Sequence, residues 1–193
     1  MELTRLKVNS QYRPCVDEAP YFSWVITSGK KNVMQTSYHI TVTGPGEVVW
    51  DSGVVESDKS TFVEYNGKPL KSLSDYSWTV EVTVNNGEKA AASSSFETGF
   101  MKKEWTAEWV KSPFPMKKVK PGTGGQNPAE YFRKEFEARE GVKRARVYAT
   151  CHGAYQLSVN GIRPDDREFA PEFTVYSKYL CYQTYDVTPF LRE

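Results

Sequence analysis

The sequence predicts an all-β protein, one complete β-sandwich followed by the opening strands of a second, and three observations carry that expectation. Seven short runs rich in β-branched and aromatic residues lie between positions 3 and 98, separated by turn residues. The clearest run alternates Tyr76, Trp78, Val80, Val82 and Val84 with Ser77, Thr79, Glu81 and Thr83, which turns one face to a core and the other to water. Beyond a stretch dense in proline and glycine the β-pattern resumes, but only four or five further runs follow before residue 193.

The seven runs cover 3–8, 21–27, 35–43, 48–52, 61–65, 75–84 and 91–98. Tyr38, Ile40 and Val42 repeat the alternation against His39, Thr41 and Thr43. Gly44-Pro45-Gly46 and Asn85-Asn86-Gly87 supply residues tolerant of positive φ where the chain must turn back. This spacing fits a sandwich rather than βαβ units, and seven is the fibronectin number, so residues 1–100 are expected to form a fibronectin type III or immunoglobulin-like β-sandwich.

Residues 101–130 read as a linker, because Pro113, Pro115, Pro121, Gly122, Gly124 and Gly125 cannot continue a ladder. In the remainder, 131–193, runs at 131–136, 145–149, 155–159 and 179–185 read as strands. Asn160-Gly161 is the strongest hairpin signal, since a type I′ turn needs positive φ at both central residues. These are too few to close an eight-stranded barrel-like sandwich, so an incomplete jelly-roll β-sandwich is expected.

Composition narrows the function classes. The formal charge is +1, from 25 Lys and Arg against 24 Asp and Glu, which gives no general electrostatic reason to bind nucleic acid. Lys111, Lys117, Lys118 and Lys120 read as a solvated loop. Cys15, Cys151 and Cys181 are odd in number and scattered, which offers neither a disulfide framework nor paired metal ligands. The start Met1-Glu2-Leu3-Thr4-Arg5 lacks the features of a secretory signal, and no apolar run reaches membrane-span length. The expectation is a cytoplasmic protein with no membrane partner.

Read in order, a series of motifs resembles the N-terminal region of the bacterial α-L-rhamnosidases, glycoside hydrolases that release terminal L-rhamnose. In the first unit they are Pro20-Tyr21-Phe22-Ser23-Trp24, Gln35-Thr36-Ser37-Tyr38-His39-Ile40, Val49-Trp50-Asp51-Ser52-Gly53, Tyr65-Asn66-Gly67, Tyr76-Ser77-Trp78-Thr79-Val80 and Phe96-Glu97-Thr98-Gly99. Trp105-Thr106-Ala107-Glu108-Trp109 resembles the junction motif, and Tyr155 to Gly161, Ala170 to Tyr176 and Tyr182 to Thr188 complete the series. Two positions depart from it: Glu172-Phe173 stands where the family usually has Gly-Trp, and Asp165 where it has Gly. The resemblance implies an inverting hydrolase whose catalytic acids lie in an (α/α)₆ barrel that these residues do not include, so the catalytic domain of the parent enzyme is the expected partner.

Within the chain, Asp165-Asp166 is the one adjacent pair of carboxylates in the second unit. Neighbours in an extended segment point to opposite sides, and a polar loop gives neither the burial that a general acid requires. No catalytic residue is expected here. Because some rhamnosidases carry a calcium-dependent rhamnose-binding module in this region, the resemblance raises Asp165 and Asp166 as calcium ligands, and Asn160 and Asp166 as contacts to a rhamnose-containing glycan. Calcium is the only cofactor it raises. Trp105 and Trp109 either stack on a sugar ring or wedge the first unit against its neighbour. Cys151-His152 places a thiol beside an imidazole, but a nucleophile and base must meet in space, and a small buried hydrophobe is the simpler reading.

The expected role is therefore that of a non-catalytic N-terminal portion of an α-L-rhamnosidase, serving as spacer and packing or carbohydrate-binding region. A free-standing carbohydrate-binding protein and a fibronectin-like protein-interaction module are the alternatives. Unpaired strand edges in the second unit would favour a homodimer.

Overall fold

Alternation along one strand organises the first unit. In the computed structural model, which describes residues 1–114 and 129–192, Tyr76, Trp78, Val80, Val82 and Val84 all point into the core. Chain clustering divides the molecule into unit 1, Met1–Thr106, and unit 2, Ala107–Glu193. Residues 107–114 thus belong to unit 2, and Pro115, Lys117, Lys118, Lys120, Pro121, Gly122, Gly124 and Gly125 lie outside the described residues.

Unit 1 contains β1 (Glu2–Val8), β2 (Cys15–Val16), β3 (Tyr21–Thr27), β4 (Gln35–Gly44), β5 (Glu47–Glu56), β6 (Val63–Glu64), β7 (Asp75–Val84) and β8 (Lys89–Thr98). One sheet runs β1-β3-β6 and the other β2-β8-β7-β4-β5. All pairings are antiparallel except β2 with β8. Register aligns apolar faces across the ladder: Tyr38 opposes Val82, Ile40 opposes Val80 and Val42 opposes Trp78. The facing sheet contributes Phe22 and Trp24 from β3, with Leu3 and Val8 from β1. Phe22 meets Trp78 at 4.7 Å and Phe96 at 6.1 Å between centroids, while Tyr76 stacks on Phe96 at 5.2 Å.

Two differences from the expected strands have local causes. The run at 61–65 forms only the two-residue β6, because Phe62 takes a φ of 51° and leaves the β region just before it. The added β2 is two residues long, too short for any periodic signal; Val16 and Pro14 carbonyls accept the Gly99 and Glu97 N–H groups at 2.8 and 2.9 Å.

Polar groups inside the sandwich are partnered with few exceptions. Gln35, nearly buried, accepts the Trp24 indole N–H at 2.9 Å and donates to the Ser57 and Lys59 carbonyls, each at 2.9 Å, so that one side chain ties β3, β4 and the β5–β6 loop together. Tyr76 Oη accepts the Lys71 N–H at 2.7 Å, the upstream backbone contact of a tyrosine corner. The fully buried Thr98 hydroxyl donates to the Lys71 carbonyl at 2.6 Å and accepts the Ser74 N–H at 3.0 Å. Trp78 Nε1 is the exception, buried without an acceptor. Gly67 is required by proximity: a Cβ there would lie 2.5 Å from Trp50 Cβ and from the Val49 carbonyl oxygen.

Unit 2 has far less regular structure. β9 (Arg146–Ala149) and β10 (Gln183–Asp186) pair antiparallel, and a 3-10 turn follows at Thr188–Phe190. The expected strand at 131–136 is absent, and 155–159 keeps only the isolated bridges Tyr155 to Ala170 and Val159 to Ile162. A strand needs a neighbour to satisfy its backbone, and among the described residues these segments have no continuous partner. The Asn160-Gly161 turn forms as its sequence requires, with φ of 51° and 81° and a two-residue loop closed by Val159 and Ile162 at 2.8 and 3.0 Å. The expected run at 179–185 is strand only from Gln183 and ends one residue later as β10, while 145–149 loses one residue to become β9.

Two measurements test unit 1. Replacing Gln35 by Leu leaves the Trp24 N–H buried without an acceptor and should cost about 2 kcal/mol in urea unfolding; a loss below roughly 0.5 kcal/mol would refute the tie. Glu88 is held down to about 2 by the Met1 ammonium, then by Lys30. A depressed carboxylate adds stability that is complete above its ordinary value of 4.5 and lost as pH falls toward 2. Glu88→Gln should therefore flatten the melting temperature across that window and leave it parallel to the parent's at neutral pH.

Candidate functional site

Tyr185, on β10, anchors the small core of unit 2 together with Ala170 and Val187. Tyr155 and Tyr185 share a hydroxyl hydrogen bond of 2.9 Å, and Tyr155 also donates to the Ala149 carbonyl at 3.2 Å. Burial, then the bond to Tyr185, pushes the Tyr155 phenol well above its ordinary range, so it stays a neutral donor. Arg146 pairs with Asp186 at 2.8 Å across the β9–β10 register.

The expected ligand residues are engaged within the fold. Asn160 Nδ2 donates to the Phe190 carbonyl at 2.7 Å, which ties the hairpin to the 3-10 turn. Asp165 Oδ1 accepts the Arg167 backbone N–H at 3.2 Å, and its Oδ2 lies 3.7 Å from the Arg167 guanidinium. Arg163 holds Glu168 at 2.8 Å and the Arg167 carbonyl at 2.8 Å, while Arg167 also bonds Gln183. Asp166 is exposed. The loop at 163–168 thus interleaves arginines with its acids, and among the described residues no group of three or more His, Cys, Asp or Glu converges on a metal position.

The two junction tryptophans are seated separately. Trp105 stacks on Phe100 inside unit 1, 4.4 Å between centroids at 17°. Trp109 packs on His152 inside unit 2 at 4.9 Å, and His152 lies parallel to Tyr176 at 4.6 Å and 6°. Tyr176 Oη accepts the Gly153 N–H at 2.8 Å, which fixes the far ring of the stack. His152 is therefore a stacking residue, a role its neighbour Cys151 conceals in the sequence; Tyr176, 24 positions away, gives no local signal. Burial pushes the Cys151 thiol up, away from nucleophilic use.

Hydrogen bonds and nearby cations hold several carboxylates in their charged form. Four described carboxylates that are displaced all move down: Glu47 by Lys68, Asp51 by the Gly53 N–H, Glu88 by the Met1 ammonium and Asp186 by the Thr188 hydroxyl. In unit 1 a recess of about 350 Å³ lies among Trp24, Ile26, Met34, Asp58 and Thr61. Its innermost polar groups, Trp24 Nε1 and the Gln35 amide, are already spent on each other and on the loop.

Comparison with known proteins follows the same division. Residues 3–102 match the family model described as the Rha78A-like, N-terminal immunoglobulin domain, and residues 140–193 match the α-L-rhamnosidase N-terminal domain. The chain belongs to the α-L-rhamnosidase family. Its matched portion is the N-terminal region of those enzymes. An α-L-rhamnosidase of Formosa agariphila is 29% identical over 100% of this chain and 23% of its own length. A second from that organism is 31% identical over 92% of this chain and 20% of its own. The chain therefore spans between a fifth and a quarter of these curated relatives. The structure of α-L-rhamnosidase from Dictyoglumus thermophilum superposes with a TM-score of 0.87 at 32% identity, covering 99% of this chain and 24% of that one.

Thiol chemistry supplies a check on the site. With Ellman's reagent at pH 8, the exposed Cys15 should react well before Cys151. Equal rates, or a faster Cys151, would mean that the thiol beside His152 is activated after all.

Proposed function

We propose that this α-L-rhamnosidase region is a packing and spacing module for the catalytic part of a larger enzyme. The observation that carries the reading is the unequal burial of the two units. Unit 1 holds sixteen of the nineteen buried hydrophobic side chains among the described residues, whereas unit 2 buries three and exposes twelve large ones. Tyr131, Phe136, Phe169, Phe173, Val175 and Tyr179 are among those exposed. So many exposed large apolar side chains beside so small a core are what a domain shows when another body completes it. The catalytic domain of the parent is the natural occupant, since the relatives are several times longer than this chain. Unit 1, with a closed core of its own, serves as the spacer.

A second reading, carbohydrate binding by unit 2, draws support from Trp109, which is 64% exposed even while seated on His152. Asn160 and Asp166, with calcium at Asp165 and Asp166, would complete such a site after the bonds to Phe190 and Arg167 rearrange.

One experiment separates the readings. The chain alone, incubated with p-nitrophenyl α-L-rhamnopyranoside, should release no nitrophenol above the buffer rate, and titration with rhamnose plus calcium should give no heat. Sedimentation should show self-association rising with concentration as the apolar face finds copies of itself. Heat of binding that Trp109→Ala abolishes would favour the carbohydrate reading. A monomer at every concentration, with no binding, would overturn the packing role.

A further inference from the structure

We propose that the bulge at Asp51, Ser52 and Gly53 is a guard on the open edge of the larger sheet of unit 1, and that it keeps β5 from adding a strand of a second copy of this chain. β5 ends the order β2-β8-β7-β4-β5, so among the described residues it has a ladder partner on one side only. Ten residues long, with Val48 and Val54 exposed, it has the length and the β-branched surface that make an edge strand a template for pairing. Its first half is covered: the Lys68 N–H donates to the Val49 carbonyl at 2.9 Å, and the Tyr65 ring packs on Trp50 at 5.4 Å. From Asp51 to Glu56 the described residues place no other segment on that edge, and the bulge stands there instead.

Register shows how the guard is built. Between His39 and Thr41 β4 advances two residues while β5 runs three, from Val54 to Asp51, so one residue of β5 is left over. Side chains then take bonds that a regular ladder would have made. The Ile40 N–H donates to Ser52 Oγ at 2.8 Å, and that hydroxyl donates to the Gly53 carbonyl, also at 2.8 Å. Asp51 Oδ1 accepts the Gly53 N–H at 2.8 Å, and His39 Nε2 lies 2.6 Å from the same oxygen, which fixes the carboxylate in place. Gly53 therefore offers an incoming strand no free N–H and a carbonyl that already has a donor, while its φ of 60° turns the backbone out of the extended line. A strand laid along β5 would have to break these bonds or leave a gap in the ladder.

Hydrogen exchange of the full chain, followed by mass spectrometry on peptides covering 51–56 at rising protein concentration, reads pairing at this edge apart from association elsewhere. In the parent, exchange there should not depend on concentration, even where sedimentation shows copies associating through unit 2. Asp51→Ala frees the Gly53 N–H, and Asp51→Ala with Ser52→Ala frees its carbonyl as well. In both variants exchange at 51–56 should slow as concentration rises. One more freed backbone group should give the double variant an association constant about 5-fold above that of the single one. Adding Val54→Lys puts a charge on the exposed edge and should abolish the slowing in either background. The Asp51 side chain is more than half exposed, so the single variant decides the matter if the double one does not fold. Concentration-independent exchange in the folded single variant, slowing that Val54→Lys leaves intact, or a parent already protected as concentration rises would each overturn the guard.

Discussion

Burial of one face of β7 is the constraint from which unit 1 follows. Tyr76, Trp78, Val80, Val82 and Val84 occupy alternate positions on a central strand, and on the β8 side Phe96, Ala92 and Ala90 oppose Tyr76, Val80 and Val82, with the small Ser94 opposite Trp78. β4 answers with Tyr38, Ile40 and Val42 in register. The other sheet then has to close over that face, which Phe22 and Trp24 do. Removing large aromatic volume there would leave a cavity as well as lost burial, a cost of several kcal/mol in well-packed cores. Trp78 shows how strongly packing dominates, since its indole N–H stays without an acceptor to keep the ring in place.

The same logic explains why unit 2 looks different. Its strand-forming runs are no poorer in β-branched or aromatic residues, yet β9 and β10 are the only named strands among its described residues. Backbone N–H and C=O groups need partners, and a two-stranded pair with one small buried cluster supplies few. What remains well defined is local: the Asn160-Gly161 turn, the Tyr155 to Tyr185 bond, and the arginine-laced loop at 163–168. Twelve of its large apolar side chains stay exposed among the described residues.

Much of the family relationship was visible in short ordered motifs, and their reasons are now physical. The Gln35 of the second motif is the hydrogen-bonding hub, the glycine of Tyr65-Asn66-Gly67 admits the Trp50 backbone neighbourhood, and Tyr76 makes the corner bond to Lys71. The candidate site was less legible. Asp165 and Asn160 carried ligand-type chemistry in the sequence, but their partners, Arg167 and Phe190, are set by loop geometry. Nor does any local pattern bring His152 to Tyr176 and Trp109.

By itself the sequence determined the periodicity of the strands, the positive-φ turn at Asn160-Gly161 and the all-β class, because those depend on neighbours a few residues apart. Only the tertiary structure decided that Phe62 would cut β6 short, that residues 107–114 belong with unit 2, and that Trp105 and Trp109 sit on different units. Each of those outcomes turns on contacts between residues whose proximity the chain acquires by folding, and no spacing along it records them.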